Sequence, residues 1–156
     1  FLYENRSRMK KEWVTIKVQD AAVLDQASIE SADVVLADVP CSGLGVLGKK
    51  RDIKYRVSRE SLWTITDLQK SIIDTVWQYV KPGGVLLYST CTIHRAENQD
   101  MAAYITGNYP FEAESLDPYL KEELKSETTK AGYLQLLPGV HESDGFFIAR
   151  FRRKTI

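Results

Sequence analysis

The chain has 156 residues with 21 basic and 21 acidic side chains. That is enough for one domain with a real core, and it is no polycation, so any nucleic-acid partner would have to meet a local basic patch. A hydrophobic fraction of 44% and a charged fraction of 27% exclude disorder and coiled coil, and no apolar run approaches the roughly 20 residues of a membrane span.

The chain opens "FLYENRSRMKKEWVTIKVQD", without an initiator Met, in what reads as the last turns of a helix running into a strand. A fragment of a longer protein is expected. Residues 13–20, "WVTIKVQD", alternate and are β-branched, which predicts a strand ending near Asp20. Residues 32–39, "ADVVLADV", form a nearly continuous apolar run, the pattern of a strand covered on both faces. Pro40 and Gly43 end it. Residues 48–59, "GKKRDIKYRVSR", are basic without periodicity and read as a loop.

From Ser61 a helix is predicted. Leu62, Ile65, Leu68, Ile72, Ile73, Val76, Trp77 and Val80 form one apolar stripe, which "KPGG" at 81–84 stops. "VLLYSTC" at 85–91 is a second buried strand, and a second helix covers about 95–106. Residues 111–131 are acidic and lysine-rich, with a helix expected around 116–126. "YLQLLPG" and "GFFIARFRR" then form an antiparallel hairpin across "VHESD", with Phe146, Phe147 and Phe151 assigned to the core.

Strand, helix, strand, helix and a closing hairpin predict an open, mostly parallel α/β sheet. Ligands in such sheets bind outside the carboxyl ends of the strands. Asp20, the turn over residues 38–43 and the turn over residues 89–91 all sit there, which brings Cys41 and Cys91 to one edge.

These are the chain's only cysteines. Two thiols make no disulfide framework, which points to a reducing, cytoplasmic setting. A strand-end cysteine is often mere packing. Zinc needs four close ligands, and here only the distant His94 and His141 could join, so no metal is expected. A redox pair would show Cys-x-x-Cys, which is absent. A thiol-dependent nucleophilic reaction remains, against the plain alternative of two core residues.

"DVPCSGLG" together with "YSTCT" after "KPGG" resembles the Sun/Fmu group of RNA (cytosine-C5) methyltransferases over roughly residues 5–154. "DIK" in the basic loop, "EN" at 97–98 and the terminal "DGFFIAR" belong to the same likeness. The resemblance implies a Rossmann-like methyltransferase fold, S-adenosylmethionine as cofactor, and RNA as substrate, most often small-subunit ribosomal RNA. It assigns Cys91 as the nucleophile and Cys41 as the thiol that assists elimination. Asp38 would lie against the cytosine edge and the methionine end of the cofactor, and Asp20 would accept from the adenine amino group. The basic loop, with Lys49, Lys50, Arg51 and Lys54, would meet RNA phosphates, and Tyr55 is a candidate stacking group.

Two departures from the family stand out. Val39 replaces the usual Ala between Asp and Pro. The glycine-rich cofactor loop and the acidic residue after the second strand have no counterpart, and the likeness would place them ahead of Phe1. The whole chain, residues 1–156, is therefore expected to be the C-terminal part of a catalytic domain, lacking the first two strands and an N-terminal RNA-binding part. The strand edges so exposed would pair directly or self-associate.

Overall fold

The computed structural model of the chain describes residues 2–50 and 52–155. Helix α1 (Leu2–Arg8) leads into a stretch over residues 9–31 that contains one 3₁₀ turn and no strand. Strand β1 (Ala32–Asp38) follows, then a short helix α2 (Ile53–Arg56), the long helix α3 (Arg59–Val76) and strand β2 (Val80–Thr90). Helix α4 (Gln99–Asn108), strand β3 (Phe111–Ala113), the single-turn helix α5 (Glu127–Lys130) and strands β4 (Tyr133–Leu136) and β5 (Phe146–Arg153) complete the chain.

The sheet order is β1-β2-β5-β3, with β4 also paired to β5. β1 and β2 are parallel, while β5 runs antiparallel to β2, β3 and β4. The expected closing hairpin is β4–β5. A second parallel strand is reached only by a crossover, and α3 supplies it.

Helix α3 starts because Ser58 caps it. The Ser58 hydroxyl accepts from the Ser61 N–H at 3.1 Å, and the Ser61 hydroxyl accepts from the Ser58 N–H at 2.8 Å. The helix therefore begins two residues before Ser61, and α2 occupies part of what reads as a loop. α3 ends at Val76 in a 3₁₀ turn, ahead of "KPGG". That tetrapeptide is instead a bulge at the start of β2. Ala32 pairs with Val80 but Val34 with Val85, and Gly83 takes a φ of 76° inside the irregularity.

The core lies between the sheet and α3 and α4, built on Leu86, Tyr88, Phe147, Phe151, Ile73 and Ile105. Only the C-terminal half of the predicted stripe on α3 enters it, through Ile72, Ile73 and Val76. Phe147 and Phe151 are buried, but Phe146 points to the opposite face of β5 and is exposed. β1 is likewise covered on one face only. Ala37 is buried, whereas Val34 is 56% and Leu36 63% exposed, each at about 1.5–3 kcal/mol relative to full burial.

The predicted strand at 13–20 makes no ladder. A strand exists only through its partner's hydrogen bonds, and this segment faces no strand among the described residues. The outer edge of β1 stays unladdered too, so direct pairing of the two does not occur. In place of a helix at 116–126 there are two 3₁₀ turns, Asp117–Tyr119 and Glu122–Leu124. Pro118 fits a turn start and cannot serve a helix interior.

Candidate active site

β1 and β2 end side by side, with Asp38 in register with Ser89. The ladder continues one step further, as the Val39 N–H donates to the Ser89 carbonyl at 3.2 Å. Pro40 then turns the chain, and Gly43, at φ 72°, turns it again. Between these turns Cys41 is carried over the end of β2. Its Sγ lies 3.1 Å from the Cys91 Sγ and 3.3 Å from the Cys91 N–H, which donates to it. The sequence therefore brings its two thiols into contact.

Burial, followed by the contact with Cys91, pushes the Cys41 thiol up to about 12. Cys41 is thus a neutral thiol across the physiological range, and both sulfurs face a cleft of about 680 Å³.

A buried polar scaffold fixes this geometry from behind. Glu97 is fully buried and accepts three hydrogen bonds: from the Ser42 N–H at 2.8 Å, the Ser42 hydroxyl at 2.6 Å and Gln69 Nε2 at 3.1 Å. Gln69 Nε2 also donates to the Pro40 carbonyl at 2.8 Å. The Tyr88 hydroxyl donates to the Glu97 carbonyl at 2.7 Å, and burial keeps that phenol protonated well above its usual range. Asn98 accepts from the Thr90 hydroxyl at 2.7 Å and donates to the Thr92 carbonyl at 3.0 Å. A buried carboxylate is tolerable only when it is this well hydrogen-bonded.

Gly45 closes the arrangement. Its N–H donates to the Cys91 carbonyl at 3.1 Å, and its carbonyl accepts from the Gly145 N–H at 2.8 Å. A Cβ here would stand 2.2 Å from the Gly145 oxygen, so only glycine fits.

Asp38 is exposed at the strand end, and one of its oxygens accepts from the Ser89 hydroxyl at 2.8 Å. Asp20 is also exposed, and its carboxylate accepts from the Ala22 N–H at 2.9 Å in a local turn. No hydrogen bond joins it to Asp38 or to the cysteines among the described residues.

The basic loop divides. Lys50 lines the thiol cleft. Lys49 is tied to Asp144 at 2.6 Å, on the connection before β5. The Lys54 ammonium sits 4.8 Å from the ring centroid of the exposed Tyr55. Arg51 lies outside the described residues.

A family model for 16S rRNA methyltransferases RsmB/F matches residues 1–152. The chain belongs to the RsmB/F family. Its relatives include the ribosomal RNA small subunit methyltransferase F of Serratia proteamaculans, 38% identical over 154 residues, which are 97% of this chain and 32% of that protein. The chain thus spans about a third of the length of the curated relatives it matches. The crystal structure of PH0851 superposes with a TM-score of 0.86 at 28% identity, covering 97% of this chain and 34% of that one. The structure of NSun6 from Pyrococcus horikoshii with SFG gives 0.82 at 25% identity, over 99% and 38%. The fold is the Rossmann-like fold of S-adenosylmethionine-dependent methyltransferases.

Within this RsmB/F-family chain, the residues that composition and periodicity miss are those of the scaffold. Glu97 and Asn98 enter only as part of the family likeness, since after a strand such residues read as solvated. Gln69 did carry a signal: it falls four residues after Ile65 and three before Ile72, a polar residue on the apolar stripe. Ser42, Gly45 and Thr92 likewise enter only through the motifs "DVPCSGLG" and "YSTCT".

Proposed function

We propose that this chain carries the reacting cysteines of an enzyme that methylates C5 of cytosine in small-subunit ribosomal RNA. The observation that carries the reading is the 3.1 Å contact between the two thiols at the carboxyl ends of adjacent parallel strands. The names of the relatives support the RNA substrate, and the SFG-bound neighbour supports S-adenosylmethionine as cofactor. Such a cofactor supplies an electrophilic methyl group. Asp38, exposed and oriented by Ser89, suits its methionine end and the cytosine edge, and Asp20 suits the adenine amino group.

C5 of cytosine is a poor nucleophile. Attack of the Cys91 thiolate on C6 forms a carbon–sulfur bond and moves the ring electrons toward C5 and N3, while the Asp38 carboxylate accepts from the exocyclic N4 amino group. C5 then takes the methyl group. Loss of the C5 proton to solvent water restores the C5–C6 double bond and expels Cys91 as thiolate. Cys41, held as a neutral thiol 3.1 Å from that sulfur, assists its release by donating a hydrogen bond to the leaving thiolate. Its raised pKa keeps it out of the attack and leaves it the proton for that hydrogen bond.

Lys50, which lines the cleft, and Lys54, on α2, would meet RNA phosphates. The 156-residue chain alone offers two carboxylate anchors for a flexible cofactor, so we expect it to bind that cofactor poorly and to be inactive. Its uncovered β1 edge is a site for self-association. A reducing cytoplasm suits two free thiols in contact.

The test uses the full-length protein, cofactor and RNA bearing 5-fluorocytidine at the target. Fluorine leaves no C5 proton to remove, so a covalent RNA–protein species should persist on a denaturing gel. Cys91→Ser should abolish both the adduct and turnover, because a hydroxyl is far less ionised than a thiol at neutral pH. Robust turnover by that variant would overturn the assignment.

A further inference from the structure

Beside the thiol cleft lies a second hollow of about 390 Å³ that the chemistry above does not use. Val57 belongs to both, so the two hollows share a wall. One side of the second is Trp63 on α3, an indole left 65% exposed. His94, three residues past Cys91, also lines it. Arg59, one turn before Trp63, stands on the rim.

Each feature is unusual for a mere surface crease. Trp63 stacks on no aromatic ring among the described residues, although large aromatics normally bury most of their area. The His94 Nδ1 is buried 3.3 Å from Glu97 Oε1, without a hydrogen-bonding angle to any partner. The ring is thus held from within, while the side chain keeps 31% of its surface open. Two rings and a guanidinium line a hollow next to the thiol cleft, with the Glu97 carboxylate 3.3 Å from His94 Nδ1.

The geometry points to a subsite for one nucleobase, the neighbour of the target cytosine in the same RNA strand, held against Trp63 and His94 with its phosphate at Arg59. This rests on the RNA reading proposed above. Single-stranded RNA is recognised by splaying bases onto aromatic faces and guanidinium planes, and a strand that gives one base to the thiol cleft must place the next within reach of it. A base is planar, apolar on its faces and chained to an anion. The slot offers matching surfaces for all three.

The experiment measures binding of short single-stranded RNAs to the full-length protein and to its Trp63→Ala and Trp63→Phe variants. The RNAs carry an intact base or an abasic sugar on either side of the target cytidine. Trp63→Ala should weaken the intact RNA about ten-fold, and Trp63→Phe should restore most of that loss. With the abasic sugar at one particular flank, Trp63→Ala should cost nothing further; at the other flank it should cost the full amount. Equal affinity of wild type and Trp63→Ala for intact RNA overturns the subsite, as does a loss that ignores abasic position. Those results leave the cytosine reading standing if the wild type still forms its adduct. Failure of the wild type to bind or trap any RNA overturns both. Trp63 is exposed, so matched melting temperatures should confirm that each variant is folded.

Discussion

Ser42 gives both its N–H and its hydroxyl to the buried carboxylate of Glu97, one residue along from Cys41. The position of the Cys41 sulfur is therefore set by a side chain that touches neither thiol. Glu97→Gln keeps the shape but replaces one acceptor oxygen with an N–H that faces donors. Hydrogen bonds to charged groups contribute about 1.5–3 kcal/mol, and a loss of that order should appear in urea unfolding. An unchanged midpoint would mean that the Ser42 contacts are dispensable.

Cys41→Ala in the full-length protein should leave attack and methyl transfer intact while removing the thiol that assists elimination. A covalent RNA–protein species should then accumulate on ordinary cytosine RNA, given cofactor. Normal turnover without a trapped species would return Cys41 to a packing role.

The high pKa of Cys41 has a sign that can be checked. The folded state holds this proton up to about pH 12, whereas an ordinary thiol releases it near 9.0. The unfolded chain loses it first, so stability should be unaffected below about pH 9 and fall as pH rises toward 12. Urea midpoints at pH 8 and pH 10 should diverge less in Cys41→Ala than in wild type. Iodoacetamide followed by peptide mapping should find Cys41 slower than a free cysteine throughout that range. Rapid alkylation at pH 8 would contradict the assignment.

Neutralising Lys50 and Lys54 together should weaken RNA binding and lower the log–log salt slope by about 0.7 for each phosphate no longer neutralised. Lys49→Ala should change the slope less, because its ammonium is already committed to Asp144. Equal effects at all three positions would mean that the Asp144 pair opens for RNA.

How much of this was legible in the sequence depended on whether a residue's partner was nearby in the pattern. β1, β2, α3 and β5 announce themselves through runs of six or more residues, because burial patterns their apolar positions. Phe111–Ala113 is too short to show one. The alternation at 13–20 is genuine but describes only a willingness to pair, and pairing is decided by another segment. The convergence of Cys41 and Cys91 followed from topology, since parallel neighbours end at the same edge. Glu97 could not be found that way. Its burial is compensated by Ser42 and Gln69, 55 and 28 residues distant, and nothing local distinguishes it from a solvated glutamate.

The placement of β2 between β1 and β5 also determines how long the two sulfurs stay together. Its central amides, at Leu86, Leu87 and Tyr88, lie in a strand laddered on both sides, and such amides exchange with deuterium only when a whole cooperative unit opens. Cys91 directly follows that strand, and Cys41 is bound to its end. The segment that carries Lys50 and Lys54 pairs with no strand among the described residues, so its amides should exchange sooner than those of β2. The thiol pair is thus tied to the slowly opening unit.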